Sequence, residues 1–324
     1  MGVKIEAAAT SVPESGGNLE LLLPLLRRHR HKGALALADE AANKCLNKTK
    51  RQAGEVGLLI NVGIYRDKNL GEPAFASLIQ EDIGANPGGK KSALTPTNQH
   101  GTFSFDLANG ACGVINAFHL LDRFTRSGIL ELGMIVARDT DPGPGKTQNF
   151  PHPAAGGAVL LSQGKEGEGF RAFHFENFPE FETMQESRVS WRASQIPLPF
   201  GWGGKNVLQL KEEPGYITRC VECAELALNR FLKKQHLNIN DIDLIISSQY
   251  PPEFPDILEQ HLRLPGDHVA RVSEAFMGAL SAAPIAGIEA SMRSGRFQKA
   301  QKVVFITVSA GISVGLALYE QTAI

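Results

Sequence analysis

Apolar residues fall along this chain in two alternating rhythms. Continuous runs rich in Val, Ile and Leu recur at "VGLLINVGIY" (56–65), "LELGMIVARD" (130–139), "GGAVLLS" (156–162), "IDLIISSQY" (242–250), "KVVFITVSA" (302–310) and "ISVGLALYE" (312–320). Short runs of this kind predict strands buried on both faces. Between them, 33–46, 113–127, 216–236, 254–263 and 278–295 carry helical spacing; from Gly113, the residues Val114, Ala117, Phe118 and Leu121 share one face. The alternation predicts an α/β protein with largely buried sheets. The stretch 163–214, which includes "PFGWGGK", has no clear period and is expected to be a long irregular insertion.

The pattern also repeats. "LLDRFTRSG" closes at Gly128 and "GIEASMRSG" closes at Gly295, an offset of 167 residues under which Asp122 meets Glu289, Leu121 meets Ile288 and Phe118 meets Ile285. Each copy orders an extended segment, a helix, an Arg-Ser-Gly stop and an apolar strand, with glycine as the expected helix terminator. The chain therefore reads as two halves, 1–165 and 216–324, with 166–215 between them. The helix from Gly113 and its small-residue counterpart from Gly278 are expected side by side at a pseudo-twofold axis.

Composition narrows the function classes. With 324 residues, 43% of them hydrophobic, and 33 basic against 34 acidic side chains, the chain can bury a large core and carries almost no net charge. Nothing electrostatic calls for a nucleic acid or an anionic membrane, and "RRHRH" (27–31) reads as a solvated helix end. No apolar run is long enough to cross a bilayer. The opening "MGVKIEAAATSV" has no apolar signal core, and the cysteines are scattered, so a cytoplasmic protein with reduced thiols is expected.

Several side chains could carry chemistry. In "FDLANGACGVINAFHLLD" (105–122), Cys112 stands between a strand and a helix, where amide dipoles favour thiolate. Cys220 and Cys223 share a face of "YITRCVECAELALNRFL", and a lone pair of this spacing reads as core packing rather than zinc. "DPGPGKTQ" (141–148) ends like a phosphate-binding loop, but Thr140 stands at its first glycine and no helix pattern follows, so a mobile Pro/Gly loop is expected. His100, His119 and His152 are isolated. His119 reads as a packed or surface residue, while His152, between two prolines, is the substrate-site candidate.

The Asp-x5-Cys-Gly run before a helix ending in Arg-Ser-Gly, the duplicated order and the C-terminal "SAGISVGLALYE" resemble the ketoacyl-acyl-carrier-protein synthase III branch of the thiolase superfamily, over 1–12, 33–162 and 216–320. That resemblance implies a duplicated five-layer αβαβα thiolase fold and a dimer formed through an edge strand near the active-site cysteine. It also implies an acyl group taken from coenzyme A or acyl carrier protein onto that cysteine and joined to a malonyl thioester. A histidine and an asparagine would stabilise the carbanion; no resident cofactor or metal is implied.

The family's pattern is Asp-x4-Cys-x-Gly. With Asp106, Gly113, Asp122, Ser127 and Gly128 in step, Ala111 takes the nucleophile's place and Cys112 stands one residue on, about 100° around a helix. Ser248 in "IISSQYPP" replaces the histidine while Gln249 matches, and Met277 or Gly278 stands where the asparagine falls. Gly311 matches the glycine turn that lends an amide to the oxyanion hole. The Trp-Arg pair that holds the coenzyme A adenine in relatives has no counterpart in "LLLPLLRRHRHKG".

Two readings follow from the resemblance. One is a ketosynthase III-like acyl-thioester transferase or condensing protein of fatty-acid or specialised-metabolite (polyketide) biosynthesis, using Cys112 in a shifted register. The other is a catalytically inactive thiolase-fold subunit pairing with an active synthase. Acyl carrier protein or acyl-CoA would be the substrate partner, and the assembly a homodimer or a heterodimer.

Overall fold

Strand β1 (Val3–Ser11) lies at one edge of a five-stranded sheet, followed across it by β6 (Ala155–Gln163), β4 (Leu132–Asp139), β2 (Leu58–Asn61) and β3 (Phe103–Asp106). A second, four-stranded sheet runs β10 (Leu244–Ser247), β11 (Lys302–Ser309), β12 (Ser313–Glu320), β7 (Gly169–Asn177). The computed structural model describes residues 2–13, 33–69, 71–86, 101–193 and 204–321. "RRHRH", His100 and most of "PFGWGGK" lie outside them.

Successive side chains of a strand point to opposite faces, and three apolar clusters follow. Leu132, Met134 and Val136 of β4 face helices α1 (Ala34–Thr49) and α2 (Phe75–Asp82) on the outside. Ile135 and Ala137 face inward, onto α3 (Gly113–Arg126), α6 (Ala283–Arg293) and the inner residues Val303 and Phe305 of β11. Val304 and Ile306 of β11 face the other way, against α4 (Tyr216–Lys234) and α5 (Phe254–His261). The layers are helix, sheet, helix, sheet, helix: the expected αβαβα arrangement.

The duplication is visible strand by strand. β2 is parallel to β4, β4 antiparallel to β6 and β6 antiparallel to β1; likewise β10 is parallel to β11, β11 antiparallel to β12 and β12 antiparallel to β7. Even β3 has a trace of a partner, a single parallel bridge from Ile245 to Val269. Small residues let the central helices and the sheets approach closely. A Cβ on Gly287 of α6 would stand 2.7 Å from Ile246 of β10, and one on Gly133 of β4 would stand 2.3 Å from Leu121 of α3.

The described residues of 163–214 are not irregular. They supply β7, and then β8 (Gln185–Ala193) and β9 (Gly204–Glu212), an antiparallel pair extended by the two-residue β5 (Thr147–Gln148). The period is hidden because only Val207 and Leu208 of β9 are buried, whereas Val189 and Trp191 of β8 are exposed. A ribbon with little buried face does not need apolar alternation. Two further expectations shift at their ends. The predicted strands 56–65 and 242–250 stop at Asn61 and Ser247 because the chain leaves the sheet there as loops. The helix expected from Gly278 begins at Ala283, after a turn in which Gly278 holds φ +80°.

Candidate active site

β2, β4, β10 and β11 all end on one side of the sheets, and the residues singled out from the sequence gather in the loops beyond those ends, as ligand sites in parallel sheets do. Ala111 and Cys112 belong to a short turn, Gly110–Cys112, that leads into α3; both are buried. The Cys112 amide donates to Ser309 Oγ at 3.0 Å, and Ser309 Oγ donates to the Asn109 carbonyl at 3.1 Å. One hydroxyl from the end of β11 thus pins the turn that precedes α3.

The Cys112 thiol points away from the loops. Its Sγ donates toward the carbonyls of Thr307 (3.5 Å) and Ser313 (3.4 Å), and a Cβ built on Gly315 would lie 3.6 Å from it. Burial pushes its pKa up, against the pull of its bonds to Ser309, Thr307 and Gly315. A buried thiol bonded to carbonyls is held as a neutral donor. Cys112 therefore packs on the second sheet.

Ser248 follows β10. Its amide donates to Ile306 O at 2.9 Å, and its Oγ accepts from the Val308 amide at 2.9 Å, so the hydroxyl serves the edge of β11. Gln249 is buried and its carbonyl accepts from the Gly278 amide at 2.8 Å. Met277 is exposed and turned outward, leaving Gly278 at the inner side of that turn, where a Cβ would come within 3.4 Å of Pro252. Gly311, at φ +93°, has open space where a side chain would be, and its amide has no acceptor among the described residues.

His152 comes into this group through Gly278. Its Nδ1 lies 3.0 Å from the Gly278 carbonyl, and its ring packs against Tyr65, Phe150 and Tyr250. Burial lowers its pKa, partly offset by the Gly278 carbonyl and by the charges of Asp139 and Glu212. His119 is a surface residue of α3, stacked on Phe173 and Phe175 and bonded to Arg123. Cys220 and Cys223 sit in the outer core against α5, and no cluster of three metal-ligating side chains occurs among the described residues. After Lys146 the chain enters β5 rather than a helix, so "DPGPGKTQ" forms no phosphate cradle.

Two residues that sequence reasoning passed over hold the site together. Asp139, the last residue of β4, accepts from the amides of Ile64 (3.0 Å) and Tyr65 (2.8 Å) and from both the amide (3.0 Å) and hydroxyl (2.5 Å) of Ser281. Ser309 is the last residue of β11, the strand that matches β4 in the other half. The signal available was a polar residue closing each of two equivalent apolar runs.

No protein-family model matches the chain. A β-ketoacyl-[acyl-carrier-protein] synthase III from Clostridium perfringens is 24% identical over 298 residues, covering 88% of this chain and 83% of its own length. The protein of the same name from Anaplasma marginale is 25% identical over 298 residues, covering 87% and 82%. The solved 3-oxoacyl-[acyl-carrier-protein] synthase III of Aquifex aeolicus superposes with a TM-score of 0.75 at 15% identity, over 99% of this chain and 100% of its own. OleA of Xanthomonas campestris superposes with a TM-score of 0.73 at 12% identity, over 99% and 98%. The chain is similar to β-ketoacyl-[acyl-carrier-protein] synthase III.

Its thiolase fold is the fold of those synthases, and no helix among the described residues is long and apolar enough to cross a membrane. Asp106, which keeps step with the synthase III pattern, is a structural hub. It accepts from Asn61 Nδ2 (2.9 Å), Arg66 Nη2 (2.5 Å) and the Phe75 and Ala76 amides at the start of α2. Burial alone would raise its pKa, but the bonds from Asn61, Ala76 and Phe75 and the charge of Arg66 hold it below the ordinary value. The unfolded chain therefore takes up this proton first, at about pH 3.9, and stability falls as the pH drops from there through the folded-state value. Urea midpoints measured from about pH 6 down to about pH 3 should fall less steeply in Asp106→Asn than in the wild type.

Proposed function

We propose that this chain is a ketosynthase III-like acyl-thioester transferase or condensing protein of fatty-acid or specialised-metabolite biosynthesis that works without an acyl-cysteine. An acyl group carried on coenzyme A or acyl carrier protein would sit where Ala111, Ser248, Gln249, Gly278 and Gly311 converge. Among the solved relatives, an OleA variant holds lauric acid and lauroyl-CoA. The observation that carries the reading is the direction of the Cys112 thiol, bonded to Thr307 O and Ser313 O and kept protonated by burial. A covalent acyl group needs a thiolate facing the thioester, and this sulfur meets neither condition.

A second reading, a catalytically silent subunit paired with an active synthase, is favoured by Ser248 and Gly278. A hydroxyl engaged by the Val308 amide and a glycine do not supply the imidazole and amide that would stabilise a carbanion. Intact mass after incubation with lauroyl-CoA, and separately with acyl carrier protein bearing the same acyl group, tests the first reading. The expected spectrum shows the unmodified chain while equilibrium dialysis shows bound ligand. An acyl adduct that disappears in Cys112→Ala would overturn it. Co-purification of a second synthase-like chain, with no ligand bound by this chain alone, would establish the silent subunit instead.

A further inference from the structure

We propose that His152 is a general base that lets this site pass an acyl group directly from its thioester to a hydroxyl acceptor, water included, with no acyl-enzyme. The inference rests on the acyl-thioester reading above and assigns that site its chemistry.

The tautomer follows from the contact. The Gly278 carbonyl can only accept, so the imidazole hydrogen resides on Nδ1 and Nε2 keeps its lone pair. Among the described residues Nε2 has no hydrogen-bond partner, yet it is absent from the sealed, unpartnered polar atoms of the interior. The residue is 6% exposed, so its small remaining contact with solvent includes this nitrogen. Three rings hold the imidazole in place: Tyr65 stacked at 5.6 Å, Phe150 edge-on at 5.3 Å and Tyr250 edge-on at 4.4 Å. A fixed, neutral, partly desolvated imidazole with one open nitrogen is the arrangement that general-base catalysis requires.

The surroundings supply the rest. Tyr65, on which the His152 ring stacks, also lines a cavity of about 320 Å³ with Arg66, Ser187 and Leu208, a volume within the range of small-molecule sites. In the transfer, the acceptor's O–H proton moves to Nε2 as its oxygen bonds to the thioester carbonyl carbon. The negative charge that develops on the carbonyl oxygen is met by the free Gly311 amide. The C–S bond then breaks and the thiolate takes the proton back from the imidazolium. An ester or acid and a thiol leave, with no change of oxidation state.

The charged and titratable groups around the ring are Asp139 at the end of β4, Glu212 on β9, and the Tyr65 and Tyr250 phenols, the second of which donates to Glu212 at 2.6 Å. The carboxylates favour the protonated ring; burial opposes them and prevails.

Release of free coenzyme A from lauroyl-CoA by the whole chain tests the proposal. Wild type and Cys112→Ala should release thiol at equal rates, and His152→Gln should lose about 100-fold or more. The wild-type kcat/KM should rise with pH and level off below the usual histidine value of about 6.5. If His152→Gln does not fold, modification of the wild-type chain by diethyl pyrocarbonate, mapped to His152 by mass, should abolish release. Release that survives either change within threefold would overturn the proposal. A lauroyl thioether analogue separates the layers of the claim: if it binds while lauroyl-CoA yields no thiol, the base is wrong and the acyl-thioester site stands. If it does not bind, the site itself is wrong.

Discussion

Asp139→Ala should cost about 3–5 kcal/mol of stability, more than any other single change argued here. The carboxylate is buried, and it is the acceptor for three backbone amides and one hydroxyl drawn from two distant segments, 64–65 and 281. Removing it leaves those donors facing a space lined by protein, and each buried donor without a partner costs about 1–3 kcal/mol, reduced where water enters. The urea midpoint should fall with the slope unchanged, because the same surface is exposed on unfolding. Glu131→Ala, on an exposed side chain just before the same strand, is the control and should change stability by less than about 0.5 kcal/mol. A loss under about 1 kcal/mol in Asp139→Ala would show that the loop 62–66 and the turn before α6 are held by something else.

Gly110→Ala should cost about 2–4 kcal/mol and should disturb the site as well as the fold. Gly110 has φ +50°, where a side chain costs about 1–2 kcal/mol, and a Cβ there would stand 2.6 Å from Ser309 Oγ. The hydroxyl must move, and with it go the bond from the Cys112 amide and the bond to the Asn109 carbonyl. The two contributions separate in a double-mutant cycle. In a Ser309→Gly background the collision is gone and only the backbone cost remains, so Gly110→Ala should become cheaper by at least about 1 kcal/mol. Equal costs in the two backgrounds would mean that the turn does not rest on Ser309.

The sheets were legible because burial on both faces writes long apolar runs, and the six runs noted in the sequence became β2, β4, β6, β10, β11 and β12. The Arg-Ser-Gly stops revealed the duplication because helix termination is local chemistry. What could not be read was direction. Nothing in "NGACGV" says that the Cys112 thiol turns toward the carbonyls of residues 307 and 313, because those residues are about two hundred positions away. His152 stood out as a histidine between prolines, but its tautomer depends on a carbonyl 126 residues further on. β8 and β9 escaped notice because an arm that buries little has little pattern to show.

The ends of β4 and β11 carry one more implication. Ser309 of the second half holds the turn that opens α3 in the first, and Asp139 of the first half holds the turn that opens α6 in the second, across sequence separations of 197 and 142 residues. Each central helix therefore has its starting turn secured in part by the opposite copy. A half emerging alone from the ribosome has its strands and its helical pattern but lacks that latch. Contacts so remote in sequence form late, since long loops must close before they contribute. Completion of the two halves is thereby made mutual, and the loops that meet at the site take their final positions in the same closing event.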